Sequence, residues 1–588
     1  MKNHRAIFLL LLCLPLTGMA QPNVLWTQWF GGPQTDNGYA VRETPDSSIA
    51  IAGETRSFGV GGSDFWLIKT AANGDTLWTR TYGGPQDETC FALEVTPDSG
   101  LILAGRSNSF GGGWSGWAVR TTATGDTLWT HKYGGAQRDE FAAVAVTPDS
   151  GFVFVGYTLS YGAGSGDFWV VRTNGSGDTL WTRTYGGDGS DQCYAVQNAA
   201  GGGFMLAGST ESFGNGHTGS PDFWLVSISA TGDSLWSRTY GGSGSDVCTS
   251  LAPLGNGWAL GGYTQSFGAG NSDAWIVQTG TTGDSLTSRT LGTPRQDYCY
   301  ALQQTGDGGL IIGGEVSSEA MAGGANYWLV KADVHLDTLW NCVFGGTSVE
   351  HGRAVTQTMS GDYVMTGSTY SYGAGIPNVW TVKCATPTRS IIAIPDSFHF
   401  GNVLVGAHRD SVITVRVTGT YETILDSVTA PHGFTTDYPG IPISLEPQQD
   451  FLVSVRFQPD SLGVFDDTIR IYSNSPGSPT TVLVRGNGAA NGTDDPKPVL
   501  LPREFALGSF PNPFNPQTTL TLDVPFAARL HVDLYDVNGR LVRTLSHSLF
   551  TAGQHRLTVD GTQLASGVYF VRMEGTAVSL TRKLVLMK

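Results

Sequence analysis

Recurring acidic side chains are the residues of this chain whose type and spacing could do chemistry. One aspartate follows a glycine turn in six successive segments, as Asp36, Asp87, Asp139, Asp191, Asp246 and Asp297. Carboxylates beside loop carbonyls are ligands that Ca²⁺ prefers. An aspartate at the beginning of a strand can also accept backbone N–H bonds, and its repetition in six segments favours this structural role. The sequence leaves the metal unassigned.

A second aspartate recurs in Gly-Asp turns, at Asp75, Asp126, Asp178, Asp233 and Asp284. In the Asp-box of sialidases the aspartate precedes the glycine, whereas here it follows the glycine. We therefore interpret these residues as turn-stabilising side chains.

Positions that break the repetition are better candidates for function, because a residue that recurs in every segment is usually structural. Glu350 and His351 replace the repeated aspartate, and together they could form an acid–base pair. The other irregular positions are His217, Thr287, Ser318, Glu319 and His335. Sequence drift in a redundant repeat explains all of these changes equally well, so we assign no catalytic residue.

Motifs of defined chemistry are absent from the sequence, which has no HExxH, Gly-x-Ser-x-Gly, P-loop, EF-hand loop or CxxC. No cofactor is expected. Cys193, Cys248 and Cys299 lie in successive segments, and equivalent residues of neighbouring sheets usually exceed the ~7 Å Cα separation of a disulfide. Buried thiols are the expectation, with a thiolate metal ring as the alternative.

The elements that must position these residues come from a repeat. Seven tryptophans are spaced 51 to 55 residues apart, as Trp66, Trp117, Trp169, Trp224, Trp275, Trp328 and Trp380. Each segment holds four strand-length pieces separated by Gly, Pro, Asn and Asp turns, and alternating apolar residues such as those of 49–52 are typical of a half-buried strand. Four strands per repeat predict an all-β, seven-bladed β-propeller over residues 21–386.

The ends of the repeat predict how the ring closes. A Leu-Trp type strand follows the first six tryptophan elements but is missing after Trp380, and a spare copy stands near the N-terminus at Leu25 and Trp26. We expect residues 25–30 to complete the seventh blade. Small residues at one offset of the first strands suit a crowded central axis, namely Ala40, Ala92, Ala143, Ala195, Ser250, Ala301 and Ala354.

These units resemble the bacterial extracellular propeller repeats called SBBP-type. The shared elements are Tyr-Gly-Gly, a following Asp, Gly-x-Thr-x-Ser and Asp-Phe-Trp, over residues 24–386. The resemblance implies an architecture more than an activity.

The repeat is absent from residues 389–489, but short strand-like segments still alternate there with Gly, Pro and Asp turns. About seven strands in ~100 residues predict an immunoglobulin-like sandwich. Three phrases resemble the ASH/HYDIN-type, or choice-of-anchor D, domains: Phe400-Gly-Asn-Val-Leu-Val-Gly406, Val455-Arg-Phe-Gln-Pro459 and Ile471-Tyr-Ser-Asn-Ser475.

Residues 490–503 read as a polar linker. Residues 504–588 closely resemble the type IX secretion sorting domain, through Phe510-Pro-Asn-Pro-Phe514, Leu534-Tyr-Asp-Val-Asn-Gly539, Gly553-Gln-His, Ser566-Gly-Val-Tyr-Phe570 and Arg582-Lys583-Leu-Val-Leu. This resemblance implies a second Ig-like β-sandwich domain, a Gram-negative, Bacteroidetes-type source, and the secretion machinery as a partner of residues 504–588.

Composition and the N-terminus agree with export. Residues 1–20 read as a signal peptide, with a basic start and an apolar run too short to span a bilayer, and no later segment is apolar enough to cross a membrane. The net charge of −16 argues against nucleic acid as a partner.

We therefore expect a secreted or cell-surface, non-catalytic binding or adhesion protein, with the propeller binding a glycan or a surface protein. The alternative is an extracellular polysaccharide lyase or hydrolase that uses one propeller face.

Overall fold

The computed structural model describes residues 22–214, 219–317, 324–373, 377–419, 421–475, 477–490, 502, 505–526, 528–575 and 578–587. The predicted signal peptide at 1–20 lies outside these residues, as do His217, Ser318, Glu319 and most of the predicted linker at 490–503. The chain divides into two compact units between Pro387 and Thr388. Within the described ranges, no helix has the length and apolar character needed to cross a membrane.

The first unit consists of seven four-stranded antiparallel sheets, which we number 1 to 7 in chain order. Its strands are β1 (Val24–Phe30), β2 (Asp36–Glu43), β3 (Ile49–Thr55), β4 (Asp64–Thr70), β5 (Thr76–Tyr82), β6 (Glu88–Val95), β7 (Leu101–Ser107), β8 (Ser115–Thr121), β9 (Thr127–Tyr133), β10 (Asp139–Val146), β11 (Phe152–Thr158), β12 (Asp167–Thr173), β13 (Thr179–Tyr185), β14 (Asp191–Asn198), β15 (Phe204–Thr210), β16 (Asp222–Ile228), β17 (Ser234–Tyr240), β18 (Asp246–Leu254), β19 (Gly257–Thr264), β20 (Asp273–Thr279), β21 (Ser285–Leu291), β22 (Asp297–Gln304), β23 (Leu310–Ser317), β24 (Ala325–Ala332), β25 (Thr338–Phe344), β26 (Glu350–Gln357), β27 (Tyr363–Thr369) and β28 (Asn378–Cys384).

Sheets 1 to 6 are each built from four consecutive strands, from β2–β5 to β22–β25. Sheet 7 differs, because its order is β26, β27, β28 and then β1 from the start of the chain. The strand β1 pairs antiparallel with β28, with Trp29 opposite Trp380. The indole N–H of Trp380 also donates to Thr27 Oγ1 at 2.6 Å. Residues 25–30, which the sequence analysis expected at this place, therefore lie at the outer edge of sheet 7.

The second and third strands of these sheets are buried on both faces, so the prediction of a half-buried strand at 49–52 was wrong. All four residues of that segment are buried. Ala50 and Ala52 pack toward sheet 2 together with Leu101, whereas Ile49 and Ile51 pack toward sheet 7 with Val364. The alternation separates small from large side chains, because each face meets a different neighbouring sheet.

Contacts between the sheets run around a full circle. The first strand of each sheet contacts the first strand of the next, from β2 with β6 to β22 with β26, and β26 in turn contacts β2. None of the sheets closes on itself.

The second unit contains two further groups of strands, each with its own core. Residues 391–489 form β29 (Ile391–Ile394), β30 (Ser397–Leu404), β31 (Arg409–Val417), β32 (Thr423–Thr429), β33 (Phe434–Thr436), β34 (Ile443–Leu445), β35 (Asp450–Phe457), β36 (Gly463–Ser473) and β37 (Thr480–Ala489). One sheet has the order β29-β31-β35-β33 and the other β30-β37-β36-β32-β34. Ile413 and Val453 of the first sheet share a buried core with Ile469 and Val484 of the second.

Residues 506–586 form β38 (Ala506–Phe510), β39 (Gln517–Val524), β40 (Ala528–Asp536), β41 (Leu541–Phe550), β42 (Gly553–Asp560), β43 (Gly567–Gly575) and β44 (Val578–Leu586). A three-stranded sheet, β38-β39-β42, and a four-stranded sheet, β41-β40-β43-β44, share the core around Leu522, Val532 and Val571. Outside its turns and one short 3₁₀ segment at Ala200–Gly202, the regular structure of the described chain is strand. The all-β class is confirmed.

Candidate functional site

A buried carboxylate begins the first strand of every sheet in the first unit. The residues at this position are Asp36, Glu88, Asp139, Asp191, Asp246, Asp297 and Glu350, and each is fully buried. The assignment of Asp87 to this series was therefore wrong: Glu88 holds the position, and Asp87 instead accepts a bond from the backbone N–H of Ser63 at 3.0 Å and pairs with Arg56 at 2.9 Å.

These carboxylates accept hydrogen bonds from the turns around them. Asp36 accepts from the Gly32 N–H at 2.8 Å, from Ser57 Oγ at 2.7 Å and from Thr55 Oγ1. Glu88 accepts from the Gly84 N–H at 2.7 Å and from Ser107 Oγ at 2.8 Å. The arrangement is that of a side chain satisfying buried donors at the start of a strand. Across the described residues, no group of three or more His, Cys, Asp or Glu side chains is placed to hold a metal ion.

Glu350 belongs to this structural series, so the suggested Glu350–His351 pair does not form. Its carboxylate accepts from the Gly346 N–H at 2.9 Å and from Thr369 Oγ1 at 3.1 Å. Burial raises the pKa of Glu350. His351 points elsewhere: its Nδ1 lies 2.7 Å from Oε2 of Glu315, a residue that the sequence analysis did not single out.

A β-bulge interrupts the first strand of every sheet three residues after the carboxylate. One extra residue stands there, as Tyr39, Phe91, Ala142, Tyr194, Thr249, Tyr300 and Arg353. Bulges re-aim a side chain and are frequent near functional sites. The next residue is Ala in six sheets and Ser in the other, so a variable position stands beside a nearly constant one.

The bulge residues surround a cavity of about 670 Å³ that is lined by the first strands of all seven sheets. Tyr39, Phe91, Tyr194, Tyr300 and Arg353 all line its wall. Glu140, Val247 and Tyr298, two residues before the bulge, line it as well, and His351 has the same register position in sheet 7. We call this end of the cavity, where the first strands begin, the mouth.

At the mouth, neighbouring sheets contact each other through one pair of equivalent positions. The residue types that occupy this pair differ from one pair of sheets to the next. A second-strand residue of one sheet contacts the residue two before the bulge in the next sheet. The pair is Glu54 with Thr89 at 2.9 Å, Arg106 with Glu140 at 2.8 Å, and Glu315 with His351 at 2.7 Å. Tyr263 and Tyr298 occupy the same pair of positions with ring centroids 4.9 Å apart.

Sheets 6, 7 and 1 carry one polar group of side chains at the mouth. The hydroxyl of Tyr300 donates to Glu315 Oε1 at 3.2 Å, and that of Tyr39 donates to Glu54 Oε1 at 3.2 Å. The guanidinium of Arg353 lies 4.2 Å from the centroid of the Tyr300 ring. Burial, together with the adjacent carboxylates, raises the pKa of both tyrosines, so their hydroxyls remain donors at neutral pH.

Sheets 2 and 3 carry a second charged group at the mouth. Glu140 accepts from Arg106 at 2.8 Å and from Arg138 at 2.9 Å. The Arg106 guanidinium also lies 4.4 Å from the ring centroid of Trp114 and 5.4 Å from that of Phe91. Charge in this part of the mouth is thus paired within the protein.

The remaining sequence candidates lie away from the mouth. His335 is exposed in the turn between β24 and β25, at the opposite end of sheet 6. The repeated turn aspartates bond within their own turns, as Asp126 does with Thr124 at 2.7 Å and Asp233 with Thr231 at 2.7 Å. Cys193, Cys248 and Cys299 are buried thiols that form no disulfide, and burial raises the pKa of each.

Five residues of the mouth were not predicted from the sequence: Tyr39, Glu54, Tyr300, Glu315 and Arg353. A signal for some of them was present, because the bulge residue varies between Tyr, Phe, Ala, Thr and Arg while its neighbour stays small. Glu315 and His351, by contrast, are 36 positions apart on different sheets, and only their packing brings them together.

The C-terminal motifs have a clear structural use. The Asn512 side chain donates to the Lys583 carbonyl at 2.7 Å and accepts from the Val585 N–H at 2.9 Å. Phe514 is buried, and its N–H donates to the Val585 carbonyl at 2.9 Å. The Pro-Asn-Pro-Phe segment thereby holds the last strand, β44, in place.

Residues 509–587 match the family described as the secretion system C-terminal sorting domain. This segment is a type IX sorting domain. It implies export through the type IX machinery, contact with that machinery, and a cell-surface or secreted location for the chain. Comparison with curated proteins gives no match.

Several solved structures are similar to the chain at low identity. Sqt1 from Chaetomium thermophilum is 12% identical with a TM-score of 0.36, over 80% of this chain and 100% of Sqt1. A protein of unknown function from Dyadobacter fermentans is 11% identical with a TM-score of 0.36, over 63% of this chain and 100% of that protein. PorZ of Porphyromonas gingivalis, an essential bacterial surface component of its type-IX secretion system, is 10% identical with a TM-score of 0.23, over 97% of this chain and 87% of PorZ. Scores this low support no argument about fold or function.

Proposed function

We propose that this protein is a non-catalytic binding or adhesion protein of the cell surface or medium, and that its ligand enters the mouth of the cavity. The observation that carries the proposal is the variable bulge position. Side chains that differ from sheet to sheet converge on one cavity of about 670 Å³, while the surrounding positions repeat. Binding sites are typically concave, aromatic-rich and furnished with a few polar groups.

We also propose that residues 21–386 form a closed seven-bladed β-propeller of the SBBP type. The proposal is supported by the circle of contacts between first strands and by the pairing of β1 with β28. Radial closure protects sheet edges that an open stack would expose. Residues 389–489 would then be an Ig-like spacer of the ASH/HYDIN type, which the shared core of two sheets supports, and 490–503 a linker to the sorting domain.

The binding proposal can be tested with the full-length secreted protein on glycan and surface-protein arrays. Tyr39→Ala and Tyr300→Ala remove aromatic side chains from the mouth. Sheet 3 already carries Ala142 at the equivalent position, so both variants should fold. We expect each to weaken binding of any ligand found by about tenfold or more, since aromatic residues dominate the energetics of such contacts.

The matched control is Leu286→Ala, an exposed apolar residue on the outer strand β21. It should bind as the wild type does. A ligand whose binding drops in the Leu286 variant and not in the tyrosine variants would place the site elsewhere.

A second candidate function, an extracellular polysaccharide lyase or hydrolase, is favoured by one contact. Glu315 at 2.7 Å orients the His351 imidazole, whose side chain is about 31% exposed, and an oriented, accessible imidazole can act as a general base. Release of reducing ends or unsaturated sugars from polysaccharides, lost in His351→Ala, would establish this reading over simple binding.

A further inference from the structure

Arg353 differs from Arg42, the other arginine that lines the cavity, and from Arg106 and Arg138 beside it, in having no carboxylate partner among the described residues. Arg42 pairs with Glu94 at 2.5 Å, and Arg106 and Arg138 both pair with Glu140. Arg353 has instead the face of the Tyr300 ring, 4.2 Å from its guanidinium carbon. A guanidinium presents several N–H donors in a planar fork that suits a carboxylate or sulfate.

The two carboxylates that accept from Tyr39 and Tyr300 also have other donors. Glu54 accepts from Asn37 at 2.9 Å, from Tyr39 at 3.2 Å and from Thr89 at 2.9 Å. Glu315 accepts from Tyr300 at 3.2 Å and lies 2.7 Å from His351 Nδ1. Other donors thus occupy acceptor positions of both carboxylates, and Arg353 lines the cavity without a carboxylate partner among the described residues.

We propose that Arg353 binds the acidic group of a saccharide, a uronate carboxylate or a sugar sulfate, whose ring lies against the aromatic side chains of the cavity wall near Tyr300. This inference rests on the proposed binding function and specifies its ligand class. Tyr298 and Tyr39 also line the cavity, where an aromatic ring can meet the apolar side of a sugar ring, and the hydroxyls of Tyr39 and Tyr300 lie beside Glu54 and Glu315.

The charge of the surroundings favours one acidic group at a time. Glu94 and Glu140 also line the cavity, but each is paired with arginine, and the chain carries a net charge of −16. This net charge disfavours a densely charged polyanion or an acidic peptide, whereas a single acidic sugar within a largely neutral chain would need only the one guanidinium that has no carboxylate partner.

The test uses the full-length protein and oligosaccharides of matched length that are neutral, carry one uronate, or carry one sulfate, with a short acidic peptide as a further probe. Dissociation constants are measured by calorimetry for wild type, Arg353→Gln and Arg353→Lys. We expect acidic oligosaccharides to bind the wild type best and to lose about 10- to 100-fold in affinity with Arg353→Gln, the range for a charge-assisted hydrogen bond. Arg353→Lys should recover part of this loss.

Arg289→Gln provides the matched control, because it makes the same chemical change at an arginine of the outer strand β21, away from the mouth, that already pairs with Asp337 at 3.5 Å. It should leave affinity unchanged. Preference for the uronate or for the sulfate decides which acidic group is bound, and either supports the proposal.

Three results would overturn it. Equal binding of neutral and acidic sugars, unaffected by Arg353→Gln, would remove the acidic-group assignment and leave the binding function intact. Binding of the acidic peptide in place of the sugars would replace the ligand class. Failure of every ligand class to bind at the mouth would remove the binding function and this inference with it.

Discussion

The carboxylate at the start of each inner strand joins two turns that flank it. Asp139 accepts from the Gly135 N–H and from Ser160 Oγ, each at 2.7 Å, and Asp246 accepts from the Gly242 N–H at 2.8 Å and from Ser266 Oγ at 2.7 Å. A buried donor left without an acceptor costs about 1–3 kcal/mol. The side chain is therefore a structural requirement of each sheet, whichever acid supplies it.

Glu88 and its neighbour Asp87 in the second repeat allow the contribution of the buried carboxylate to the free energy of unfolding to be measured. Glu88→Ala leaves the Gly84 N–H and the Ser107 hydroxyl without their acceptor, so we expect it to lower the free energy of unfolding of the first unit by about 2–4 kcal/mol. Asp87→Ala removes a partly exposed acceptor and a surface ion pair, and we expect a loss of about 1 kcal/mol. Denaturant unfolding followed by tryptophan fluorescence compares the two. A larger loss for Asp87→Ala would restore Asp87 to the repeated series.

At the scale of elements, the bulge separates the constant from the variable part of each inner strand. The residue after it is small in every sheet, which lets the seven first strands approach one another, and the bulge residue itself differs from sheet to sheet. Changes at the bulge position alter the cavity wall without disturbing the repeated packing. This separation is why Ala142 and Arg353 can occupy equivalent positions in one unit.

The strand β1 offers a direct test of how the first unit holds together. A mature chain that begins at Gly32 lacks β1 and exposes the edge of β28 around Val379 and Trp380. It also loses Trp26, whose indole N–H donates to the Ala72 carbonyl at 2.9 Å, and the buried Phe30. Each large buried side chain contributes roughly 1.5–3 kcal/mol, against about 5–15 kcal/mol for a typical domain. We expect unfolding or aggregation, seen by calorimetry and light scattering.

The matched control is a chain that begins at Val24, which lacks only the residues before β1. It should melt as the full mature chain does. If the chain that begins at Gly32 also melted at that temperature, the closed seven-bladed arrangement would be wrong.

At the scale of the whole molecule, the sorting domain and the first unit are separate structures. The last domain has its own core around Leu522 and Val532, and the first unit ends at Pro387. Mutations that impair recognition for export should therefore leave the stability of the first unit unchanged, and mutations that destabilise the first unit should leave the recognition signal intact.

Removal of residues 504–588 should leave a folded protein in the periplasm, because the segment matched to the sorting family is lost. Fractionation of cells and medium measures its location, and calorimetry should show an unchanged melting temperature for the first unit. Asn512→Ala is a finer variant, since it removes the two side-chain bonds from Asn512 to β44 and should reduce export. Normal delivery of the truncated chain to the surface or medium would contradict the assignment.

The sequence alone determined the number of repeats, the strand content, the unpaired final repeat and the sorting motifs. Each of these is a local or periodic property: seven tryptophans recur at 51 to 55 residues, turn residues punctuate the strands, and the Pro-Asn-Pro segment is continuous in the chain. Such signals survive without knowledge of packing.

Tertiary structure decided the site and corrected its residues. The turn before each inner strand donates a backbone N–H to the carboxylate four residues later, so that Glu88 rather than Asp87 begins the inner strand of sheet 2, and Glu350 is used for structure. Contact between adjacent sheets then brings Glu315 to His351 and Arg353 to Tyr300. Residues about 35 to 55 positions apart meet at the mouth only because the sheets pack side by side, and a pattern read along the chain holds no information on which of them will face one another.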